Sequence, residues 1–268
     1  MDQIEKGEAF RALHETGTFI IPNPWDVGSA VMLQNLGFKA IATTSAGFAY
    51  AQGMTDGQPT LDDKLVHCAA LAGATDIPLA VDFEDGYATN PEDVAANILK
   101  LAETGVVGAS VEDWSRTEGK LHDVTRAAER VAAAAEAAAS LPFPFVLTAR
   151  AENLIRGVDD LDDTIARLKQ YEAAGADVLY APGLRSLDMV DAVLAEVGKP
   201  VNVLVPFLAG EPLSAFESRG VRRLSLGNAL GNHALHAMLG AVDEMQSGGF
   251  TWFAESAASG GRIHKLLR

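Results

Sequence analysis

Cysteine is nearly absent from this 268-residue sequence, in which Cys68 is the only one. A single cysteine excludes an intrachain disulfide and a cysteine-rich metal site, and it is typical of a reducing cytoplasm, where we expect this protein. Long apolar runs are also missing, because the longest are strand-sized and far short of the roughly 20 residues that span a membrane. The first residues carry no apolar run behind a basic stretch, so we predict neither a signal peptide nor a membrane partner.

Positive charge is scarce as well. The sequence has 21 Lys and Arg against 36 Asp and Glu, which gives a formal net charge of −15. This charge repels phosphate backbones and anionic lipid surfaces, so nucleic acid is not an expected partner. An anionic small molecule would be repelled too, and its binding would need local cations such as a metal ion and an arginine. Apolar residues are abundant at 48%, which is typical of a folded globular core.

Short β-branched or apolar runs alternate with longer segments of helical period from about residue 18 onward. This pattern predicts strand–helix units around a parallel sheet. Eight strands separated by seven helices match a closed TIM-type (β/α)8 barrel better than an open doubly wound sheet. We therefore predict one α/β barrel domain over residues 1–268. The predicted strands are 18–22, 39–44, 78–83, 106–112, 144–150, 177–182, 200–205 and 222–227.

Residues 230–268 are predicted to form a C-terminal helical extension of the barrel. Phe250, Trp252 and Phe253 lie in this tail between glycine-rich breaks. Aromatic side chains on a tail need a surface to cover, which is either their own barrel or another subunit. A homo-oligomer, dimer or tetramer, is therefore expected, with packing on the tail's own barrel as the alternative.

Polar side chains follow four consecutive predicted strands. The active site of a barrel of this kind lies at the carboxyl ends of its strands, so these side chains are the first candidates for function. They are Thr44 and Ser45 after the second strand, Asp82, Glu84 and Asp85 after the third, Glu112 and Asp113 after the fourth, and Arg150, Glu152 and Asn153 after the fifth.

Asp82 and Glu84 are one residue apart, so in an extended strand both side chains project from the same face. Two like charges there are tolerable if a hard cation lies between them. An oxygen-rich site with few direct protein ligands suits Mg²⁺, or alternatively Mn²⁺, and Glu112 supplies a third oxygen donor. The alternative is that these carboxylates cap helices or pair with Arg and Lys.

Arg150 ends the fifth predicted strand. Its guanidinium can bind a substrate carboxylate through two parallel hydrogen bonds. The alternative is an ion pair with Glu112 or Glu152, and both roles can coexist.

Six sequence strings, in order along nearly the whole chain, resemble motifs of the isocitrate lyase and phosphoenolpyruvate mutase superfamily. Each string alone is weak, but their order and their places at strand ends make the resemblance specific. It implies a Mg²⁺-dependent barrel that stabilises an enolate while a bond to C3 of a pyruvate-like unit is made or broken. The strings are PNPWDVGSA (22–30), GFKAIATTSAGFAYAQGMTDG (37–57), VDFEDGY (81–87), GASVED (108–113), LTARAEN (147–153) and SLGNAL (225–230).

The resemblance also implies roles for individual residues. Asp82 resembles the direct metal ligand, Glu84 stands where the superfamily often has a second aspartate, and Glu112 resembles a water-mediated ligand. Asp56 falls where the superfamily keeps an acid near the metal and the scissile group.

The same resemblance assigns the substrate contacts. Thr44, Ser45 and Ala46 match the segment whose backbone binds the oxygens of a small carboxylate substrate, and Arg150 matches the arginine at the substrate. A metal ion chelated by the 2-oxo acid would act as a Lewis acid.

The loop after Glu112 departs from the superfamily pattern. Its sequence DWSRTEGKLHDV lacks the Lys-Lys-Cys-Gly-His-type motif of the isocitrate and methylisocitrate lyases, and no asparagine follows Lys120 as in the phosphonopyruvate enzymes. The Asp82-Phe83-Glu84 step with Gly86 and Tyr87 instead resembles a less characterised Asp-x-Glu branch of the superfamily, whose members are associated with 2-oxo acids such as oxaloacetate. This resemblance implies a lyase that acts on a small, oxaloacetate-like 2-oxo acid through a pyruvate-type enolate, with oxaloacetate decarboxylation as one case. The alternatives are a phosphonopyruvate-type P–C hydrolase or mutase, and a 2-oxo acid binding protein with little turnover.

Three histidines carry weaker signals. His122 lies in the same loop as Lys120 and could act as an acid or base, with a solvated loop histidine as the alternative. His233 and His236 share one face of a predicted helix but have no third metal ligand, so we expect them on the helix surface.

Overall fold

The computed structural model describes the backbone of residues 1–268 and every side chain except that of residue 255. Eight parallel strands form a nearly closed barrel, and each of them lies within a predicted strand. The barrel strands are β1 (Phe19–Ile21), β2 (Ile41–Ala42), β3 (Leu79–Asp82), β4 (Gly108–Glu112), β7 (Val146–Arg150), β8 (Val178–Tyr180), β9 (Val201–Leu204) and β10 (Arg223–Ser225). Between β4 and β7 the chain forms an antiparallel hairpin of β5 (Trp114–Ser115) and β6 (Lys120–Leu121).

The strands pair in the order β1-β10-β9-β8-β7-β4-β3-β2, and all barrel pairs are parallel. The seam between β1 and β2 is bridged where the Ala42 N–H donates a hydrogen bond of 3.1 Å to the Pro22 carbonyl. This closure confirms the predicted TIM-type architecture, and it brings the carboxyl ends of all eight strands to one face.

The helices surround the barrel, and many begin after a polar residue that caps the first turn. Thr60, Asp123, Asp160 and Ser186 each accept a hydrogen bond from a first-turn N–H. The helices are α1 (Gln3–Ala12), α2 (Val27–Asn35), α3 (Ser45–Ala51), α4 (Leu61–Ala74), α5 (Pro91–Ala102), α6 (Val124–Ala139), α7 (Leu161–Ala173), α8 (Leu187–Glu196), α9 (Leu213–Glu217), α10 (Ala229–Gln246) and α11 (Trp252–Leu266).

The amino-terminal end of the barrel interior is apolar and closely packed. Phe10 of α1 is fully buried against the starts of the strands, in a cluster with Val107, Val146 and Val178. A methyl group on Gly108 would lie 2.8 Å from the Val146 carbonyl oxygen and 2.9 Å from the Phe10 ring, which explains the glycine at the start of β4. Because this end is filled, open space in the barrel axis lies toward the carboxyl ends of the strands.

The tail forms α10 and α11 and makes few contacts with the barrel. The Asn35 side chain of α2 donates a hydrogen bond of 2.8 Å to the Leu266 carbonyl of α11. Met238, Leu239 and Phe250 are each more than half exposed. Assembly into a homo-oligomer through this surface stays a prediction, as does the single-domain boundary. None of the helices in the described part of the chain is long and apolar enough to cross a membrane.

Arg130 of the alanine-rich helix α6 is buried, which the sequence did not indicate. Its guanidinium donates hydrogen bonds to the carbonyls of Glu112 (2.9 Å) and Ala88 (3.1 Å) and also to that of Asp85. Peptide carbonyls without water need such donors. Arg130 therefore joins α6 to the ends of β3 and β4.

We predict that Arg130→Met lowers the free energy of unfolding by about 2–4 kcal/mol, because buried carbonyls lose their donor. Arg126→Gln on the same helix is the control, since Arg126 is partly exposed and binds Glu129 and Asn90. In the control, the free energy of unfolding should fall by less than about 1 kcal/mol. Urea unfolding of both variants measures the difference, and equal losses would contradict the buried role of Arg130.

Candidate active site

Two adjoining cavities open at the carboxyl ends of the strands. The inner cavity, of about 200 Å³, reaches into the barrel, and the mouth cavity, of about 400 Å³, lies above it under the β5–β6 hairpin. Ser45, Asp56 and Arg150 line both. A larger space of about 620 Å³ lies at the opposite end, beside the strand starts at Val146 and Val178. Only the first two are lined by the predicted site residues, at the face where barrels of this kind hold their active sites.

The floor of the inner cavity contains a buried cation, Arg223 of β10. Its Nε donates to Asn202 Oδ1 and its Nη2 to Thr148 Oγ1, both at 2.9 Å. Burial lowers the pKa of Arg223 to about 10. Among the described side chains its hydrogen-bond partners are neutral, so the interior of the barrel carries a positive charge.

Asp82 ends β3 and faces the cavity. Its Oδ1 accepts a hydrogen bond of 2.7 Å from Arg150 Nη1, and its Oδ2 accepts one of 3.0 Å from the Ser45 N–H. Burial by itself would raise the pKa of Asp82, but Arg150 and Lys64 outweigh it and the pKa lies below its ordinary value. Asp82 is therefore an ionised oxygen donor at the cavity wall.

Arg150 lies directly opposite Glu112 in the β4–β7 register. Its Nη2 is 2.8 Å from Glu152 Oε1 and 3.2 Å from Glu112 Oε2. Burial opposes its charge, but Glu152, Glu112 and Asp82 together hold the pKa of Arg150 well above its ordinary value. Arg150 thus forms the ion pairs with Glu112 and Glu152 that were the alternative to substrate binding. Its role in binding substrate stays a prediction.

Glu112 and Glu152 are buried side by side. Burial and then repulsion from Glu152 raise the pKa of Glu112 well above its ordinary value, and burial raises the pKa of Glu152 as well. The Glu152 Oε2 atom has no hydrogen-bond partner among the described residues. The Nη2 atom of Arg156 lies 3.5 Å from that atom.

Glu84 does not continue the strand, which ends at Asp82. Its backbone is left-handed with φ 49°, so the prediction that Asp82 and Glu84 project from one face of an extended strand is wrong. The Glu84 carboxylate accepts hydrogen bonds from the Tyr87 hydroxyl (2.7 Å) and from Arg116 Nη1 (3.1 Å). Burial raises the pKa of Glu84 in spite of Lys64 and Arg116. Positive φ at a non-glycine residue is costly and is found most often at functional sites.

Arg116 in the hairpin connects two segments over the mouth cavity. Its Nε is 2.9 Å from Asp85 Oδ1, and its Nη1 also donates to the Gly57 carbonyl at 3.3 Å. Gly57 follows Asp56 in the loop between α3 and α4. The exposed Asp56 thus lies at the cavity edge beside the hairpin.

Thr44, Ser45 and Ala46 form the start of helix α3 and line the inner cavity. Thr44 is the N-cap residue, and its Oγ1 accepts a hydrogen bond of 3.4 Å from the Gly47 N–H. The Ser45 N–H is bound to Asp82, as described above. The predicted small-residue segment is therefore a first helical turn, and its Ser45 N–H faces the Asp82 carboxylate.

A divalent metal ion is compatible with these donors. Among the described side chains, no three His, Cys, Asp or Glu residues are arranged as a complete metal site. Asp82, Glu84 and Glu112 instead line the cavities with carboxylate oxygens that are paired with arginines. Mg²⁺ usually binds one or two carboxylates and completes its shell with water and substrate oxygens, so an all-oxygen donor set beside an open cavity fits it.

The histidine predictions have different outcomes. The His122 side chain is buried rather than solvated. The backbone N–H of His122 donates a hydrogen bond of 2.8 Å to the Asp113 carbonyl. Lys120 is exposed and pairs with Glu118, and neither Lys120 nor His122 lines a described cavity of the mouth. His233 and His236 lie on the exposed surface of α10, as expected.

A model of the phosphoenolpyruvate phosphomutase family matches residues 10–246. The chain belongs to this family. An uncharacterized protein of Mycobacterium tuberculosis is 32% identical over 243 residues, covering 90% of each chain. The 2-methylisocitrate lyase of Escherichia coli is 28% identical over 77% of this chain and 72% of its own. The oxaloacetate decarboxylase of Paraburkholderia xenovorans is 26% identical over 84% of this chain and 76% of its own.

Solved structures of the isocitrate lyase and phosphoenolpyruvate mutase superfamily share the fold. A Burkholderia cenocepacia protein named as a lyase or mutase superposes with a TM-score of 0.92 at 48% identity, covering 98% of this chain and 95% of its own. An oxaloacetate acetylhydrolase superposes with a TM-score of 0.84 at 25% identity, covering 98% and 94%. A phosphonopyruvate hydrolase with bound oxalate and Mg²⁺ has a TM-score of 0.85 at 21% identity, covering 99% and 95%, and shows the fold alone.

Several residues of this phosphomutase-family site were missed from the sequence. Arg116 and Arg156 line the mouth cavity, Arg223 lines the inner one, and Lys64 is a fully buried cation whose charge acts on Asp82. Their positions in the sequence could have identified two of them as candidates, because Arg156 lies in the turn after β7 and Arg116 in the loop after β4. Their contacts depend on loop conformations that the strand pattern does not specify.

We predict that Arg150→Met lowers the free energy of unfolding by about 3–5 kcal/mol near neutral pH, since it leaves three carboxylates without their shared cation. Arg150 lowers the pKa values of Glu112 and Glu152 against the effect of burial, so its removal should raise both pKa values further than in the wild type. Protonation of the two carboxyl groups at falling pH then stabilises the folded variant more than the folded wild type, and the loss should shrink toward about pH 5.

Urea unfolding of Arg150→Met at two pH values measures this effect. Arg185→Gln is the control, because Arg185 is 53% exposed and lies 3.6 Å from an exposed Asp159. A loss that is the same at both pH values, or no larger than that of the control, would contradict the role of Arg150 as the shared cation.

Proposed function

We propose that this protein is a Mg²⁺-dependent lyase that acts on a small, oxaloacetate-like 2-oxo acid and breaks or forms a C–C bond through a pyruvate-type enolate. The supporting observation is the Arg150–Asp82 contact of 2.7 Å at the wall of the inner cavity. A guanidinium, which can bind a carboxylate, lies there beside an ionised carboxylate, which can bind a cation. A substrate with adjacent carboxylate and oxo groups needs both.

Asp82, Glu84 and Glu112 would hold Mg²⁺, or Mn²⁺, and its water molecules. Asp82 is the direct ligand in this proposal, because its pKa is lowered and it lines the inner cavity. Glu84 and Glu112 lie at the mouth cavity, where bound water can bridge to them. When bound, the metal ion would supply a Lewis acid that draws electron density from the 2-oxo group.

Arg150 and the backbone of Thr44, Ser45 and Ala46 would hold the substrate carboxylate. Arg150 Nη1 carries two N–H groups, and Asp82 accepts from only one of them among the described residues. The other is available to a substrate oxygen. The ion pairs to Glu112 and Glu152 fix the guanidinium, so it is preorganised before substrate binds.

Asp56 would assist the leaving group or its proton from the cavity edge, and Glu112 would act beside it. In oxaloacetate decarboxylation the C3–C4 bond breaks and its electron pair enters the C2–C3 enolate. Carbon dioxide leaves, and C3 then gains a proton to give pyruvate. The oxaloacetate decarboxylase and the oxaloacetate acetylhydrolase among the similar proteins support this substrate class.

We predict that Asp82→Ala abolishes Mg²⁺ binding and lowers kcat/KM for oxaloacetate by about a hundredfold or more, because direct charge stabilisation is lost. Calorimetric titration with Mg²⁺ and pyruvate formation above the rate without enzyme are the measurements. Asp76→Ala is the control, since the Asp76 side chain is 85% exposed. Unchanged Mg²⁺ affinity and turnover in Asp82→Ala would refute the assignment.

A panel of 2-oxo acids, 2-hydroxy acids and phosphonates, assayed with Mg²⁺ and with EDTA, separates the alternatives. Mg²⁺-dependent C–C cleavage supports the proposal. Phosphate release from phosphonopyruvate would favour a P–C bond enzyme, and tight oxaloacetate binding without product would favour a binding protein.

A further inference from the structure

Arg156 lies at the mouth cavity and has no part in the chemistry described so far. It ends the 3-10 turn Asn153–Arg156 that follows β7, and Gly157 then reverses the chain with φ 85°. The Arg156 side chain is 34% exposed. A cation at this position is accessible from the cavity.

Of the three arginines that line the mouth cavity, Arg156 makes the longest contacts to carboxylates. Its Nη2 is 3.6 Å from Glu112 Oε1 and 3.5 Å from Glu152 Oε2, and it makes no side-chain hydrogen bond to the described residues. Arg150 instead lies 2.8 Å from the same Glu152 carboxylate, and Arg116 lies 2.9 Å from Asp85. Arg156 therefore has hydrogen-bonding capacity that the protein does not use.

The Trp114 ring contacts this guanidinium. The Arg156 Cζ atom lies 4.4 Å from the centre of the Trp114 ring, in a cation–π contact. This contact supplies no oxygen acceptor, so the guanidinium can still donate hydrogen bonds to an anionic ligand. Trp114 belongs to the β5–β6 hairpin over the mouth cavity, so its contact with Arg156 joins the turn after β7 to that hairpin.

The charges of the mouth cavity favour an anionic ligand once a divalent cation is bound. Four carboxylates and three guanidinium groups line it, so the lining is slightly negative on its own and becomes positive once a divalent cation is bound. They are Asp56, Glu84, Glu112 and Glu152, and Arg116, Arg150 and Arg156. A ligand with one carboxylate would engage Arg150 and leave Arg156 without an anionic partner at hydrogen-bond distance.

We propose that Arg156, whose guanidinium lies over the Trp114 ring, is a specificity-determining residue that binds the second carboxylate of the substrate, at the end remote from Arg150. Arg150 and Arg156 both contact Glu112 and Glu152, so the two guanidinium groups lie close enough together for one small diacid to span them. The inference rests on the proposed function for the position of the 2-oxo end.

The test compares three ligands of the Mg²⁺-loaded protein. Oxaloacetate carries the distal carboxylate, 2-oxobutyrate has a methyl group in its place, and oxalate represents the end held by Arg150. In Arg156→Gln we expect the dissociation constant of oxaloacetate, measured by calorimetric titration, to rise about ten- to hundredfold, the usual value of hydrogen bonds to a charged group. The dissociation constants of oxalate and 2-oxobutyrate should change less than about threefold.

Arg156→Lys should recover part of the oxaloacetate affinity, because lysine keeps the charge but lacks the planar fork. Arg185→Gln, on an exposed arginine, should behave as the wild type. Thermal unfolding verifies that each variant is folded. Equal weakening of all three ligands in Arg156→Gln would mean that Arg156 only neutralises the two glutamates, and it would overturn the proposal.

The outcomes separate this inference from the lyase assignment. If the wild type binds oxalate with Mg²⁺ but does not prefer oxaloacetate to 2-oxobutyrate, the distal site is refuted and the lyase proposal stands. If the preference is present and depends on Arg156 but no product forms, the distal site stands and the lyase proposal fails. Failure of the Mg²⁺-loaded wild type to bind any of the three ligands would refute both.

Discussion

The Arg150 guanidinium lies between three carboxylates, Asp82, Glu112 and Glu152, and the carboxyl ends of β3, β4 and β7 depend on this arrangement. Three buried acids on neighbouring strand ends would repel each other, and burial alone would neutralise them by raising their pKa values. A permanently charged arginine in the middle keeps Asp82 ionised, while Glu112 and Glu152 have raised pKa values. The three carboxyl groups around one cation therefore differ in pKa, although they are chemically similar.

A second set of contacts fixes the backbone around that arginine. Asp113 accepts hydrogen bonds from the Tyr171 hydroxyl (2.6 Å), from Arg167 Nη1 (2.9 Å) and from the Glu152 N–H (2.8 Å). The buried Arg130 binds carbonyls on the other side of the same strand ends. Since barrel helices supply Arg130, Arg167 and Tyr171, the outer layer of the fold determines where the charged groups of the mouth lie. This is why a site made of short strand ends can be rigid.

The barrel, and the meeting of the polar strand-end residues at its carboxyl face, could be predicted because they depend on local patterns. Eight apolar runs and the polar residues after them reflect burial along each strand, and the structure confirms the barrel. The orientation of Glu84 was predicted wrongly, because a left-handed backbone at that residue ends the extended geometry. Arg116 and Arg156 were missed, since Arg116 reaches carboxylates more than thirty residues earlier in the chain and Arg156 depends on a tight turn. The family resemblance supplied residue roles that spacing alone left open, and those roles remain proposals.

The central claim is that Asp82 and Arg150 hold a metal ion and a 2-oxo acid side by side. A crystal structure of the protein grown with Mn²⁺ and oxalate, with the metal located by anomalous scattering, tests it directly. We expect the metal ion about 2.1 Å from an Asp82 oxygen, with oxalate bound to both the metal and the Arg150 guanidinium. A metal ion bound away from Asp82, or oxalate bound outside the inner cavity and the mouth cavity, would contradict this arrangement.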